Sequence, residues 1–303
     1  MPSPSLLLLR LFIGWCRAKA EPVQQSSFSP KGHSHPVYAM RFIGTGNAHS
    51  LVSASTDGTI CTWDLDDIRE ARTSCLLRYT PDGGARKHDI AVSCMSVGAG
   101  EASTVYLGGE DGGIFTATLA GENTTIEHRR DSHFGPIASL HHHPNQSSDL
   151  SSVLLSSSMD WTARVWSTNT TDGPLATLDG FGEYVSDCQW SPTNPALVAS
   201  GDGAGTVALW RLSASTAVPA ASTSRAAAAA AGGTAQRPAD LPAADAPVTA
   251  LRWAPDGRHV VAADAAGVLS MLQVGGEVAT PSAADRCWLP DALNKATVRS
   301  FSA

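Results

Sequence analysis

"STDGTICTWDLDD", residues 55–67, sets a tight Asp-Gly turn between two short runs of alternating apolar residues, and it ends in Trp-Asp. That is one edge of a β-propeller blade if the pattern recurs, and a chance turn if it does not. It recurs. The turns "GEDGGIFTA" (109–117), "SMDWTARVW" (158–166), "GDGAGTVALW" (201–210) and "ADAAGVLSM" (263–271) each lie between two strand-like runs. Each is preceded by a similar apolar opening: "HPVYAMRF" (35–42), "IAVSCMSV" (90–97), "GPIASLHH" (135–142), "EYVSDCQW" (183–190) and "APVTALRW" (246–253). Aligned on Val37, Val92, Ile137, Val185 and Val248, the steps are 55, 45, 48 and 63 residues. Short strands of period two, Gly/Asp turns and this spacing predict an all-β propeller of about five blades. The absence of a 3.6-residue period argues against a helical solenoid.

The residue types inside the repeats have a physical reason. In the first, His33 precedes Val37 by four, and Ser53, Asp57 and Trp63 follow at −4, 0 and +6 about the Asp. In the third, His133, Ser156, Asp160 and Trp166 repeat that spacing. A carboxylate at the turn accepts from imidazole, the imidazole reaches the Ser hydroxyl, and the hydroxyl meets the indole N–H. Each of these groups, buried alone, would cost about 1–3 kcal/mol. A Ser/His/Asp trio is also the makings of a hydrolase triad. The same spacing in two repeats, the terminal Trp and the lack of a nucleophile elbow favour structural tetrads.

The other repeats are degraded. The second keeps His88 and Asp111 but has Ala117 and Leu107 at the Trp and Ser positions. The fourth keeps Ser200 and Trp210 with Ala204 at the Asp position, and the fifth has Leu272, Ala266 and Ala262. These blades are expected to rely on apolar packing alone.

Composition narrows the function. Lys+Arg 21 against Asp+Glu 28 gives a net charge of −7, with no basic stripe to neutralise phosphates or anionic lipid, so neither nucleic acid nor a membrane is an expected partner. Six cysteines (Cys16, Cys61, Cys75, Cys94, Cys188, Cys287) are scattered without a CxxC pair, which suits reduced thiols in a cytosolic protein. "HHHP" at 141–144 raises the metal question, but a strand alternates faces and only His141 and His143 could share an ion. No phosphate loop, dinucleotide fingerprint or HExxH occurs, and neither cofactor nor enzymatic activity is expected.

Three segments lie outside the repeats. Residues 1–32 carry a short apolar stretch and Ala18-Lys19-Ala20, which is like a signal-peptidase site. Arg10 interrupts that stretch, no basic residue precedes it, and it is far short of the roughly 20 residues that span a bilayer. "LFIGWCRAKAEPVQ" instead suits the last strand of a preceding blade, with Trp15 as its aromatic, followed by a linker. The blades occupy 33–275, with an Ala/Ser/Pro-rich insertion at 213–246 expected to be a disordered loop. In the tail, 276–303, "DRCWLPDALNKATV" suits a short amphipathic helix starting near Pro290, with Trp288 and Leu293 as its apolar contacts.

With these residues in view, the chain resembles the WD40 domain of the cytoplasmic dynein intermediate chains. The stretches that carry the likeness are "HSHPVYAMRFIGTGNAHSLVSASTDGTICTWDLD", "SSMDWTARVWSTNTTDGPLATL", "YVSDCQWSPTNPALVASGDGAGTVALW" and "RWAPDGRHVVAADAAGVLSML". "GTGNAHSLVS" and "WSPTNPALVA" are more particular than a generic repeat. The likeness runs from about Glu21 to about Leu293, apart from the insertion. It implies a non-catalytic motor subunit in the cytoplasm, associated with microtubules, whose propeller docks on the tail of the dynein heavy chain. In that family a long N-terminal segment recruits dynactin and the light chains. That segment and the first blades are not matched here, which implies a truncated chain and a partial ring. Axonemal and intraflagellar intermediate chains are less similar, and a WD40 scaffold outside motors is the alternative from another class.

Overall fold

The computed structural model describes residues 12–15, 22–26, 29–45, 48–80, 87–98, 103–120, 123–129, 132–145, 150–170, 173–224, 235–236 and 246–300. The chain divides into two compact units, residues 1–129 and 130–303.

In the first unit, β1 (Phe12–Trp15) pairs antiparallel with β2 (Pro22–Gln25). The lone remnant strand expected here is therefore a two-stranded ladder. A four-stranded sheet follows in the order β3 (Val37–Thr45), β4 (Ala48–Ser55), β5 (Thr59–Asp64), β6 (Thr73–Leu76). A short pair, β7 (Arg78–Tyr79) and β8 (His88–Asp89), leads to a second sheet of β9 (Val92–Val97), β10 (Thr104–Gly109), β11 (Ile114–Ala120) and β12 (Asn123–Arg129). One face of the first sheet (Ala39, Val52, Ala54, Ile60) packs on Val92, Met95, Val105, Leu107 and Phe115 of the second.

The second unit holds three more four-stranded sheets. They are β13 (Ile137–His142) to β16 (Ala176–Leu178) with β14 (Val153–Ser158) and β15 (Ala163–Ser167), then β17 (Val185–Trp190), β18 (Leu197–Asp202), β19 (Thr206–Arg211) and β20 (Ala221–Ser224). The last is β22 (Val248–Trp253), β23 (His259–Asp264) and β24 (Leu269–Gln273), with β21 (Ala235–Gln236) as its edge. Two helices close the chain, α1 (Gly276–Ala279) and α2 (Ala283–Ser300). The fold is all-β, of WD40-type blades.

All five inner strands start at the residues on which the repeats align, and each ladder contains a bulge. In β3, β13, β17 and β22 the register shifts just after the first residue. A bulge twists a strand and frees one residue from pairing. Where that residue carries a hydroxyl it returns to the neighbouring strand: Ser186 Oγ donates to Gly201 O at 3.0 Å and Thr249 Oγ1 to Ala263 O at 3.2 Å.

β18 is buried at every residue, with Val198 packed in the cluster shared with the third blade and Ala199 in the cluster shared with the fifth. Such strands need small residues where a neighbour comes close. A Cβ on Gly201 would lie 2.4 Å from Val248 Cγ1, so glycine is required for β18 to meet the next blade. β24 instead alternates, with Leu269 and Met271 exposed.

Two expectations are corrected. The insertion was expected to be loop throughout 213–246, but Ala221–Ser224 forms the outer strand of the fourth blade, paired from Leu209↔Ala221 to Thr206↔Ser224. Its Ser and Thr side chains suit a strand, and the free edge of β19 supplies the partners its backbone needs. The Ala run at 226–231 lies outside the described residues. The terminal helix was expected to start near Pro290, yet α2 begins at Ala283 and runs through it. Proline removes the hydrogen bond to Arg286 O. The fully buried Leu289 and Asp285 hold the turns around it, and tertiary packing outweighs that loss.

Candidate functional site

The structure brings both predicted sets together. In the third blade Trp166 Nε1 donates to Ser156 Oγ at 2.8 Å, Ser156 Oγ lies 2.7 Å from His133 Nε2, and His133 Nδ1 lies 2.9 Å from Asp160. In the first blade the same three contacts are 2.7 Å (Trp63 to Ser53), 2.7 Å (Ser53 to His33) and 3.3 Å (His33 to Asp57). The carboxylates also bind the incoming loop, Asp57 accepting from Ser34 N at 2.7 Å and Asp160 from Phe134 N at 3.1 Å. The loop before the inner strand, the turn and the third strand are thus tied at one point.

Each set has a further member. Thr59 Oγ1 donates to Asp57 Oδ1 and Thr162 Oγ1 to Asp160 Oδ1, both at 2.6 Å. The signal for it was on the page as Asp-X-Thr in both "DGT" and "DWT". Chemically, the hydroxyls that a triad reading would make nucleophiles are spent: Ser53 and Ser156 are fully buried and each accepts from an indole. No substrate reaches a hydroxyl so enclosed.

The degraded blades do not rest on apolar packing alone. In the fourth, Asp202 takes over the turn from a position two residues earlier, accepting from Ala204 N at 3.0 Å and Thr206 N at 2.8 Å. Asp264 does the same in the fifth, for Ala266 N and Val268 N, both at 2.9 Å. Trp210 Nε1 still donates to Ser200 Oγ at 2.8 Å. In the second, Asp111 accepts from Gly113 N at 2.9 Å, and Tyr79 Oη, with no part for His88, donates to its other oxygen at 3.2 Å.

Two clusters of the second unit escaped the sequence. Asp187 on β17 meets His141 Nε2 of β13 at 3.2 Å, and accepts from Leu251 N (2.8 Å) and Arg252 Nη1 (3.3 Å) of β22. Burial would raise its pKa, but the His141 ring and these donors hold it below the usual carboxylate range. One carboxylate therefore links three inner strands. The second cluster joins α2 to the fourth blade. Asp285, fully buried, accepts from Arg211 Nη2 at 2.6 Å, Ser282 N at 2.7 Å and Ser213 Oγ.

Two histidines of the run find partners in the fourth blade. His141 turns to Asp187, while His143 donates from Nε2 to Pro195 O at 3.2 Å and accepts from Asn145 N at 3.1 Å. Among the described residues no three His, Cys, Asp or Glu side chains are arranged to hold a metal ion.

These rings are expected to make the second unit acid-labile. Burial lowers the pKa of His133 and His143, and burial with the nearby His141 takes His142 to about 4. A histidine lowered in the fold contributes stability above its unfolded value of about 6.5 and loses it as pH falls toward the folded value. His33 is opposite: burial pulls its pKa down, but Asp57 and Cys61 more than reverse this, so its contribution is lost only as pH rises. The melting temperature is therefore expected to fall between pH 6.5 and 4.5, and His142→Gln to remove up to about 2 kcal/mol of the accompanying loss of stability at pH 5. An unchanged slope in the variant would refute this account.

A family model described as the PAC11 dynein intermediate chain matches residues 85–231, and one described as the WD domain, G-beta repeat, matches 24–64. The chain is 34% identical over 266 residues to the cytoplasmic dynein 1 intermediate chain of Drosophila melanogaster, covering 87% of this chain and 36% of that one. It is 25% identical over 202 residues to the human dynein axonemal intermediate chain 2, covering 65% and 32%. The chain thus spans about a third of the length of these relatives. Among solved structures, the computationally designed Ika8 protein is similar in fold, with a TM-score of 0.52 at 20% identity over 80% of this chain and 60% of that one.

Proposed function

From a chain that is a WD40-type relative of the dynein intermediate chains, we propose a non-catalytic subunit of a cytoplasmic dynein, whose blades dock on the heavy-chain tail. The observation that carries the reading is the 34% identity sustained over 87% of the chain. The lower identity to the axonemal relative, 25% over 65% of the chain, favours the cytoplasmic class and a place on microtubules in the cytoplasm. Within this reading His33, Ser53, Asp57 and Trp63, and His133, Ser156, Asp160 and Trp166, are clamps that keep the docking loops in place. Asp187 and Asp285 extend the same office to the inner strands and to α2.

The test is direct. The purified chain is expected to co-sediment with a recombinant cytoplasmic heavy-chain tail, and to do so more strongly than with an axonemal tail. Binding to neither would sink the motor reading and favour a WD40 scaffold outside motors.

A further inference from the structure

Four of the five turns between second and third strands place glycine in the left-handed region: Gly58 at φ 78°, Gly112 at 85°, Gly205 at 83° and Gly267 at 78°. The third blade places Trp161 there, at φ 66°, the one non-glycine residue of positive φ among the described residues. Glycine adopts that conformation without strain, whereas a bulky L-residue is an outlier that the surroundings must enforce. The strain is not repaid by burial, since Trp161 is 48% exposed.

Two more large apolar side chains lie beside it, Phe134 at 95% exposure and Met159 at 43%. Their backbones meet at one turn. Phe134 N donates to Asp160, Met159 N donates to Pro136 O at 3.0 Å, and a Cβ on Gly135 would sit 3.1 Å from Asp160 N. Residues 134–136 are thus laid directly on the 159–161 turn. The clamp beneath fixes both segments, so the exposed side chains project from a rigid base.

Local electrostatics select what they meet. Arg164 lies with its guanidinium carbon 6.0 Å from the Phe134 ring centre, and it already donates to Ser132 O and Thr162 Oγ1. Asp160, 3.7 Å from its Nη2, offsets its charge, so neither a cationic nor an anionic partner gains from it, and either would shed water to approach. Rigid, exposed aromatics with no charge on offer suit aliphatic side chains.

We propose that Phe134, Met159 and Trp161 are the point at which an uncharged, aliphatic segment of the heavy-chain tail is held. This rests on the dynein reading above. The experiment measures the affinity of a purified heavy-chain tail for the full chain and for its Trp161→Gly and Phe134→Ala variants, with melting temperatures in parallel. Trp161→Gly is expected to melt at or above the wild-type temperature, because glycine relieves the strain, while its Kd rises at least tenfold. Phe134→Ala is expected to weaken binding similarly at an unchanged melting temperature.

Wild-type affinity in both variants overturns the patch and leaves the dynein reading standing. A wild-type chain that does not bind the tail overturns the dynein reading itself. A melting temperature that drops in Trp161→Gly makes Trp161 a packing residue and overturns the proposal. Light scattering that shows wild-type dimers abolished by Trp161→Gly, with tail binding unaffected, assigns the patch to a second copy and overturns it too.

Discussion

Trp166→Ala is expected to lower the unfolding free energy by about 3–5 kcal/mol, read from urea denaturation. Trp166 is fully buried, and its ring lies edge-on to His133 with centroids 6.1 Å apart. Truncation leaves a cavity the size of an indole in the interior of the blade. It also removes the donor to Ser156 Oγ, whose hydroxyl stays fully buried. Trp166→Phe separates the two contributions: it refills most of the volume, leaves the hydroxyl short of one partner, and is expected to cost about 1–3 kcal/mol. Trp63→Ala in the first blade is expected to cost as much as Trp166→Ala, since Trp63 is 2% exposed and makes the same bond to Ser53 at 2.7 Å. A loss below about 1.5 kcal/mol for either alanine variant would mean that the blades do not depend on these tetrads.

The blades were legible because a propeller repeats local chemistry. Val37, Val92, Ile137, Val185 and Val248 could be aligned by eye, and each begins an inner strand. The turn carboxylates of the fourth and fifth blades were missed for a local reason. Asp202 and Asp264 sit two residues before the position that Asp57 and Asp160 occupy, so a search at one fixed spacing found only Ala204 and Ala266. A carboxylate at either position reaches one amide in common, that of Thr59, Thr162, Thr206 or Val268. Asp187 and Asp285 were illegible for another reason. Apart from Ser282, their partners lie 46 to 91 residues away, on other blades, and nothing in a strand's own period reports which residue of the next blade it will face. The course of α2 through Pro290 is of the same kind. Local propensity stops a helix at proline, and only the blade beneath shows why it continues.

The pair Arg211–Asp285 is the most consequential of these hidden contacts, and Asp285→Ala is expected to cost about 3–5 kcal/mol. The carboxylate is fully buried and receives Arg211 Nε at 3.0 Å and Nη2 at 2.6 Å, together with Ser282 N, Ser282 Oγ, Ser213 Oγ and, at 3.4 Å, Asn194 Nδ2. Arg211 also donates to Glu277 O and Thr280 O, both at 3.2 Å, so it joins the fourth blade to α1 and to the residue that follows it. Removing the carboxylate leaves a guanidinium in a largely dehydrated site. The loss should show as detachment of α2, with helical circular dichroism at 222 nm falling before the sheet signal. Acid has the same target. Burial opposes the ionised form, but Arg211 and the serine donors hold Asp285 well below the usual carboxylate range. A carboxyl so lowered contributes stability above its unfolded value of about 3.9 and loses it as pH falls below that, so Asp285→Ala should lose less than wild type between pH 4 and 2. The decisive measurement is a double-mutant cycle. Arg211→Met with Asp285→Leu replaces the pair by apolar groups of similar size and strands neither charge, so the double variant is expected to be more stable than Asp285→Ala. If the effects of the two single changes simply add, the bond between blade and helix is not what holds α2 in place.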